Sequence, residues 1–150
     1  TLQRILKPYQ LPMDRLTLEA TERGMIGEDI GLSREVMDSL RGLGAQIALD
    51  DFGTGYSSLA YLHTFEFDAI KIDASFVRRI GVDSVSAGVL DAIIDLGHAL
   101  NVTIVAEGVE KPHQLEFLRK RGVHAAQGWL FAKAMPAAAF IEFVRKSAAK

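Results

Sequence analysis

Gln46-Ile47-Ala48-Leu49-Asp50-Asp51-Phe52-Gly53-Thr54-Gly55 is an apolar run that stops on two adjacent acids and opens into a glycine-rich loop. Gln46–Asp50 reads as a strand, Asp51–Ser57 as a loop, and Ser58 to about His63 as a short helix. A strand that delivers carboxylates at its carboxyl end fits an α/β fold, where function gathers where the strands stop. The fold then turns on whether the neighbouring strands end in the same way.

Outward from this stretch, strand and helix alternate. Upstream, Leu2–Tyr9 reads as the end of a helix broken at Leu11-Pro12-Met13-Asp14, and Leu16–Thr21 as a strand. Ser33 suits an N-cap, with Val36, Leu40 and Leu43 on one face of a helix that stops among Gly42 and Gly44. Downstream, Ala69–Ile72 is a strand with a helical turn near Phe76. Val85, Val89, Ile93, Leu96 and Leu100 mark a helix from about Asp83 to Leu100, ended by Asn101. Thr103–Ala106 is a fourth strand, Pro112 to Arg121 a helix stopped by Gly122, and Val123–Gln127 a fifth strand. A last helix follows Pro136 with Phe140, Ile141 and Val144 as its apolar face. Five βα units with short connections imply parallel strands and right-handed crossovers. Two architectures accommodate them: an open doubly wound sheet, which the length alone favours, and part of a (β/α)₈ barrel.

The strand ends favour the barrel. The first supplies Glu19 and Glu22, the second Asp50 and Asp51, the third Lys71 and Asp73, the fourth Glu107 with Glu110 beyond it, and the fifth Gln127. An open sheet collects groups only near its switch point, whereas a barrel brings every strand end to one mouth. The expected fold is therefore a TIM-like (β/α) barrel, here an incomplete one of about five βα units. A complete barrel needs about 250 residues, and this chain has 150.

Composition excludes several classes. The chain is 49% hydrophobic and 24% charged, as in a soluble domain, and carries no cysteine, so neither disulfides nor a cysteine zinc site is available. No apolar run approaches the about 18 residues of a membrane span. A net charge of −2 argues against a large DNA or RNA footprint. Thr1 begins the sequence with no initiator Met, basic n-region or apolar h-region, so no signal peptide is read, and the residues are expected to be a fragment of a longer protein.

Glu19, Asp50, Asp51 and Glu107 offer only hard oxygen donors, a set that selects Mg²⁺ or Mn²⁺ over zinc or copper. Gathered without cations they would repel one another. Adjacent carboxylates can serve two ions about 3.5–4 Å apart, the spacing used in phosphate-ester hydrolysis. Lys71 is placed to hold a phosphate oxygen or orient a metal-bound hydroxide. Taken singly, each acid reads as a solvated loop residue or a helix cap; the set together does not. Other signals carry less. Asp51-Phe52-Gly53 matches a kinase tripeptide without the accompanying kinase loops. Gly53-x-Gly55-x-x-Ser58 lacks the third glycine of a dinucleotide fingerprint. His63, His98, His113 and His124 show no ligand spacing, and Met13, Met25, Met37 and Met135 read as core or loop residues. Arg119-Lys120-Arg121 reads as a dipole-complementing helix end rather than a phosphate patch.

In these residues the sequence resembles the C-terminal part of EAL domains, the bacterial cyclic di-GMP phosphodiesterases. Leu18-Glu19-Ala20-Thr21-Glu22, Asp50-Asp51-Phe52-Gly53-Thr54-Gly55-Tyr56-Ser57-Ser58-Leu59, Lys71-Ile72-Asp73-x-Ser75-Phe76-Val77, Ala106-Glu107-Gly108-Val109-Glu110 and Gln127-Gly128-Trp129-Leu130-Phe131 match five motifs in order, across essentially all of the chain. The resemblance implies a TIM-like barrel that hydrolyses cyclic di-GMP to linear pGpG with two Mg²⁺ or Mn²⁺ ions. Carried across, Glu19, Asp50, Asp51 and Glu107 would be metal ligands, with Asp50 bridging. Lys71 would assist the attacking water, Glu107 would also take part in proton transfer, and Gln127 would hold the nucleotide. Glu22 would steady the loop after Asp51 and link it to a dimer contact, with Asp73 and Glu110 as supporting groups. A homodimer, a fused sensor or GGDEF domain in the parent protein and a bacterial cytoplasmic setting are implied in the same way.

The sequence departs from the family pattern at Phe65-Glu66, where an apolar residue and proline are usual, at Trp129 in place of tyrosine, and at Ala134 in place of proline. The Glu-Ala-Leu segment, an arginine near it and an asparagine on a following strand would lie upstream of Thr1; the Glu and Asn would be ligands and the Arg a substrate contact. The 150 residues are thus expected to be the C-terminal portion of the domain and to hydrolyse poorly alone. The competing expectation is an inactive EAL-type module that binds cyclic di-GMP or a partner protein. A third is a metal-dependent phosphatase on an open sheet.

Overall fold

The computed structural model describes residues 2–21, 30–54, 62 and 64–148. Glu22, the loop residues Gly55 to Leu59 and the helix expected from Ser58 to His63, Leu62 apart, lie outside the described residues. The five expected strands are present: β1 (Thr17–Thr21), β2 (Gln46–Phe52), β3 (Ala69–Ile72), β4 (Thr103–Ala106) and β5 (Ala125–Ala126). All neighbours are parallel and the spatial order is β1-β2-β3-β4-β5. That order decides between the two architectures. A doubly wound sheet reverses direction at a switch point, so its strand order is not sequential. A sequential parallel order is that of a barrel wall, and among the described residues β1 and β5 each pair on one side only.

The helices are α1 (Leu2–Leu6), α2 (Ile30–Gly42), α3 (Ala74–Arg78), α4 (Ser84–Ala99), α5 (Pro112–Lys120) and α6 (Ala137–Ala148). Asn101, at φ 55, takes the left-handed conformation expected of a residue that ends α4. Among the described residues no helix is long and apolar enough to cross a membrane.

Strand alternation separates the two faces of the sheet. Ile47, Leu49, Ile70, Ile72, Ile104 and Ala106 point to the helix side and are buried. There Leu49, Ile70, Ile72 and Ile104 join Leu90, Ile93 and Ile94 of α4 and Leu118 of α5 in one core cluster. Each of these large side chains contributes about 1.5–3 kcal/mol by leaving water. The opposite face carries Glu19, Ala48, Asp50, Ala69, Lys71 and Val105, which the ladder register places side by side.

Several sequence expectations need correction. Ser33 is not an N-cap: α2 is already helical at Ile30, and Ser33 lies inside it. Its sheet-facing side runs through Met37 and Leu40, while Val36 and Leu43 are exposed. In α4 the buried line is Leu90, Ile93, Ile94 and Gly97, with Val89 and Leu100 exposed. In both helices enough apolar residues lie on neighbouring positions for periodicity to place the stripe one residue off. The fifth strand keeps only Ala125–Ala126 of its expected span. Phe140, Ile141 and Val144 of α6 are exposed, because the sheet ends at the two-residue β5 and gives that face no described strand to cover.

The amino end of the sheet is tied by side chains. Asp68 Oδ2 accepts the Ile47 N–H at 2.8 Å, Asp68 N–H donates to the Ile47 carbonyl at 2.8 Å, and its own carbonyl accepts the Thr103 N–H at 3.0 Å. Arg41 Nη2 lies 3.3 Å from Asp68 Oδ1, and Arg41 Nη1 pairs with Glu66, the residue standing where proline is usual. His124 Nδ1 accepts the Ile104 N–H at 3.0 Å, and His98 Nε2 lies 3.0 Å from the Arg121 carbonyl, so both histidines bind backbone. Lys120 pairs with Glu116 and Arg121 with Asp91, which leaves no three-cation patch at the end of α5.

Candidate active site

At the carboxyl ends of the strands four side chains from four strand ends meet. Lys71 Nζ lies 2.6 Å from Glu19 Oε1, 3.1 Å from Asp50 Oδ1 and 2.6 Å from Glu107 Oε1. Gln127 Nε2 donates to the same Glu107 Oε1 at 2.7 Å. The lysine is deepest, with 9% of its side chain exposed, while Asp50 and Glu107 are half-buried and Glu19 is exposed. Burial alone would push the Lys71 ammonium to lose its proton, but hydrogen bonds to Glu107, Glu19 and Asp50 outweigh it and raise the pKa well above the ordinary lysine value. Lys71 is therefore a fixed positive charge at neutral pH.

The local backbone explains why these groups meet. Leu49 pairs with Ile70 but Phe52, not Asp51, pairs with Ile72, so β2 carries one extra residue opposite Lys71. That bulge lies at Asp50-Asp51. Strict alternation would send two adjacent acids to opposite faces, and a bulge relaxes it. Asp51 absorbs the extra residue at φ 54, a conformation that Asp tolerates better than most side chains. Its N–H donates to Asp50 Oδ1 at 3.0 Å, and its carbonyl accepts Thr54 N–H at 3.2 Å and Thr54 Oγ1 at 2.9 Å.

Glu107 is held from several sides. Its N–H donates to the Ile72 carbonyl at 3.0 Å. Gly108, at φ +66, packs so close to Ala74 that a Cβ would come within 2.5 Å of the Ala74 Cβ. Val109 N–H reaches the Gln127 carbonyl at 3.0 Å, and a Cβ on Gly128 would overlap the Val109 backbone. Buried Gln114 completes the clamp: its Oε1 accepts the Glu110 and Lys111 N–H groups at 2.9 and 2.8 Å, and its Nε2 donates to the Val77 carbonyl at 3.2 Å. Sequence reasoning passed over Gln114, although a glutamine three residues into a helix that starts at Pro112 is a recognisable cap signal.

Of the expected site residues, the structure brings Glu19, Asp50, Lys71, Glu107 and Gln127 together. Asp51 stands beside them, exposed, and among the described residues it makes no ion pair with Lys71. Asp73 caps α3, accepting the Ser75 N–H at 2.9 Å. Burial alone would raise its pKa, but the Ser75 side chain and the Ser75 and Ala74 backbone, with Arg78 nearby, lower it overall. Glu110 turns towards Arg78, at 3.9 Å. A cavity of about 320 Å³ opens beside Glu107, lined by Arg78, Glu110, Gln127 and Trp129 among others.

The donor set fits a hard divalent cation. Three carboxylates and one ammonium sum to −2, and every donor is oxygen. Among the described residues no three acidic or histidine side chains form a ready cage; the carboxylates converge on Lys71 instead.

Sequentially ordered parallel strands with an acidic, oxygen-donor mouth define a (β/α)-barrel wall carrying a candidate hydrolytic site. The chain belongs to the EAL domain family, whose pattern it matches over residues 1–134. It is 43% identical over 145 residues to the cyclic di-GMP phosphodiesterase PdeR of Escherichia coli (strain K12), covering 97% of this chain and 22% of PdeR. The solved structure of the PaMucR phosphodiesterase with cyclic di-GMP is 40% identical, with a TM-score of 0.85 over 93% of this chain and 56% of that one. The manganese and cyclic di-GMP complex of Klebsiella pneumoniae BlrP1 is 35% identical, with a TM-score of 0.80 over 88% of this chain and 33% of that one. The chain spans about a quarter of the length of the curated relatives it matches.

Proposed function

We propose that this chain forms the larger part of the catalytic mouth of a cyclic di-GMP phosphodiesterase that opens the cyclic dinucleotide to linear pGpG with two Mg²⁺ or Mn²⁺ ions. The observation that carries the reading is the convergence of Glu19, Asp50 and Glu107 on buried Lys71 at the carboxyl ends of the strands. Relatives named for this substrate, and one solved with manganese, support it.

Glu19, Asp50, Asp51 and Glu107 would hold the ions. Bound ions supply charge neutralisation at the phosphate and a lowered pKa for water. Lys71, positively charged, would orient the attacking water, and Glu107 would accept its proton. Gln127 holds the nucleotide and steadies Glu107 through its 2.7 Å hydrogen bond. Glu22, Asp73 and Glu110 act as supporting groups. Homodimerisation, a fused sensor or GGDEF domain in the parent protein and a cytoplasmic setting belong to the same reading.

A second reading is binding of cyclic di-GMP or of a partner protein without turnover. Conversion of cyclic di-GMP to pGpG in Mg²⁺, measured on the 150 residues and on a complete domain containing them, separates the two. The 150 residues are expected to turn over poorly and the complete domain to be active, with Asp50→Ala abolishing that activity. A complete domain that binds the dinucleotide but never cleaves it would establish the binding reading.

A further inference from the structure

Among the described residues, one cation stands where three carboxylates of the mouth meet. Lys71 Nζ reaches Glu19 Oε1, Asp50 Oδ1 and Glu107 Oε1 at 2.6, 3.1 and 2.6 Å. Two of these oxygens carry a second donor: Asp50 Oδ1 accepts the Asp51 N–H and Glu107 Oε1 accepts Gln127 Nε2. The carboxylates are thus oriented around the ammonium and not around a common empty centre. Mg²⁺ coordinates oxygen at about 2.0–2.1 Å. An ion held by these groups would therefore stand close to Nζ, and two cations at such a spacing repel strongly in a half-buried site. The two cations therefore compete for these oxygens.

We propose that Lys71 is the resident counter-ion of the mouth, so that its ammonium and a divalent cation are alternative partners of Glu19, Asp50 and Glu107. Cation binding then displaces Lys71 from the carboxylates and frees it for the substrate. This rests on the metal-dependent reading above and adds to it a role for Lys71 before any dinucleotide arrives.

Two measurements on a complete domain containing this chain test it. The first is Mn²⁺ affinity, read from free Mn²⁺ by electron paramagnetic resonance, in the wild type and in Lys71→Met. Competition predicts binding at least tenfold tighter in the variant; unchanged or weaker binding overturns the proposal. The second uses the wild type alone and does not depend on the variant folding. Acetylation of Lys71 by an amine-reactive ester, followed by peptide mapping against exposed Lys146, should accelerate several-fold when Mn²⁺ is added. Unchanged or slower acetylation overturns the proposal. If neither form binds Mn²⁺, the metal-dependent reading falls and this inference with it. If both bind equally, only this inference falls.

Discussion

The two ends of the sheet use the same materials to different effect. At the amino end Asp68 spends its oxygens on the Ile47 N–H and on Arg41, and the histidines bind the Ile104 N–H and the Arg121 carbonyl. Those contacts tie side chains to backbone and join neighbouring strands and loops. At the carboxyl end three carboxylates share one ammonium; their one described tie to backbone is the N–H of Asp51, and the Gln127 link to Glu107 is side chain to side chain. Polar groups committed to backbone hold a fold together, whereas an excess of like charge persists because something else uses it.

Substitutions at the two ends should therefore separate activity from stability. The largest effect is expected for Glu107→Ala in a complete domain: turnover of cyclic di-GMP falls by about 10³-fold or more, because on the proposed reading one substitution removes both a metal ligand and the proton acceptor. Its melting temperature should change by only a few degrees. Unchanged turnover would contradict the assignment of this residue. Asp68→Ala is the converse. Loss of a charge-assisted bond to the Ile47 N–H should cost about 1.5–3 kcal/mol in urea unfolding, with Mn²⁺ affinity unaltered. A drop in affinity as large as the drop in stability would erase the distinction between the two ends. Gln127→Ala should raise KM about tenfold with a smaller change in kcat, the signature of a lost binding contact; a pure kcat effect would reassign it to Glu107 alone.

The smallest effects concern pH. The pKa of Lys71 is raised on folding, so its contribution to stability is complete below the unfolded lysine value of about 10.4 and is lost as pH rises through the folded value. Urea midpoints of the wild type should fall towards those of Lys71→Met only in strong alkali. Convergence near neutrality would mean that the cluster is not charged as described. Asp73 runs the other way. Its pKa is lowered on folding, so its contribution is present above the ordinary carboxylate range and fades as pH falls. Asp73→Ala should cost about 1 kcal/mol, as a lost helix cap does, and leave turnover nearly intact.

The strands and the site were legible for one reason: each strand is a short apolar run that ends on a polar residue, and the register turns that alternation into one polar face. Ala69–Ile72 and Thr103–Ala106 were placed to the residue. The choice of barrel over open sheet also came from those strand ends, and the sequential strand order bears it out. What escaped were effects of tertiary contact. The bulge at Asp50-Asp51 depends on pairing with β3, which no local pattern encodes. β5 is shorter than expected at both ends, although the His124 and Gln127 N–H groups still reach the Ile104 and Ala106 carbonyls. The buried stripes of α2 and α4 depend on which of several apolar positions the sheet selects. Gln114 was half legible: its capping bonds to Glu110 and Lys111 are local, and only its bond to Val77 joins a distant segment.

The left-handed backbone at Asp51 makes that position unusually useful to an experimenter. A side chain there must suit both a charge and a twist, and most replacements change both at once. Asparagine keeps the shape, tolerates the same φ and gives up only the charge. Glycine keeps the twist and gives up everything else. The pair Asp51→Asn and Asp51→Gly therefore reads out electrostatics and side-chain occupancy on separate scales, at a residue where alanine would confuse them.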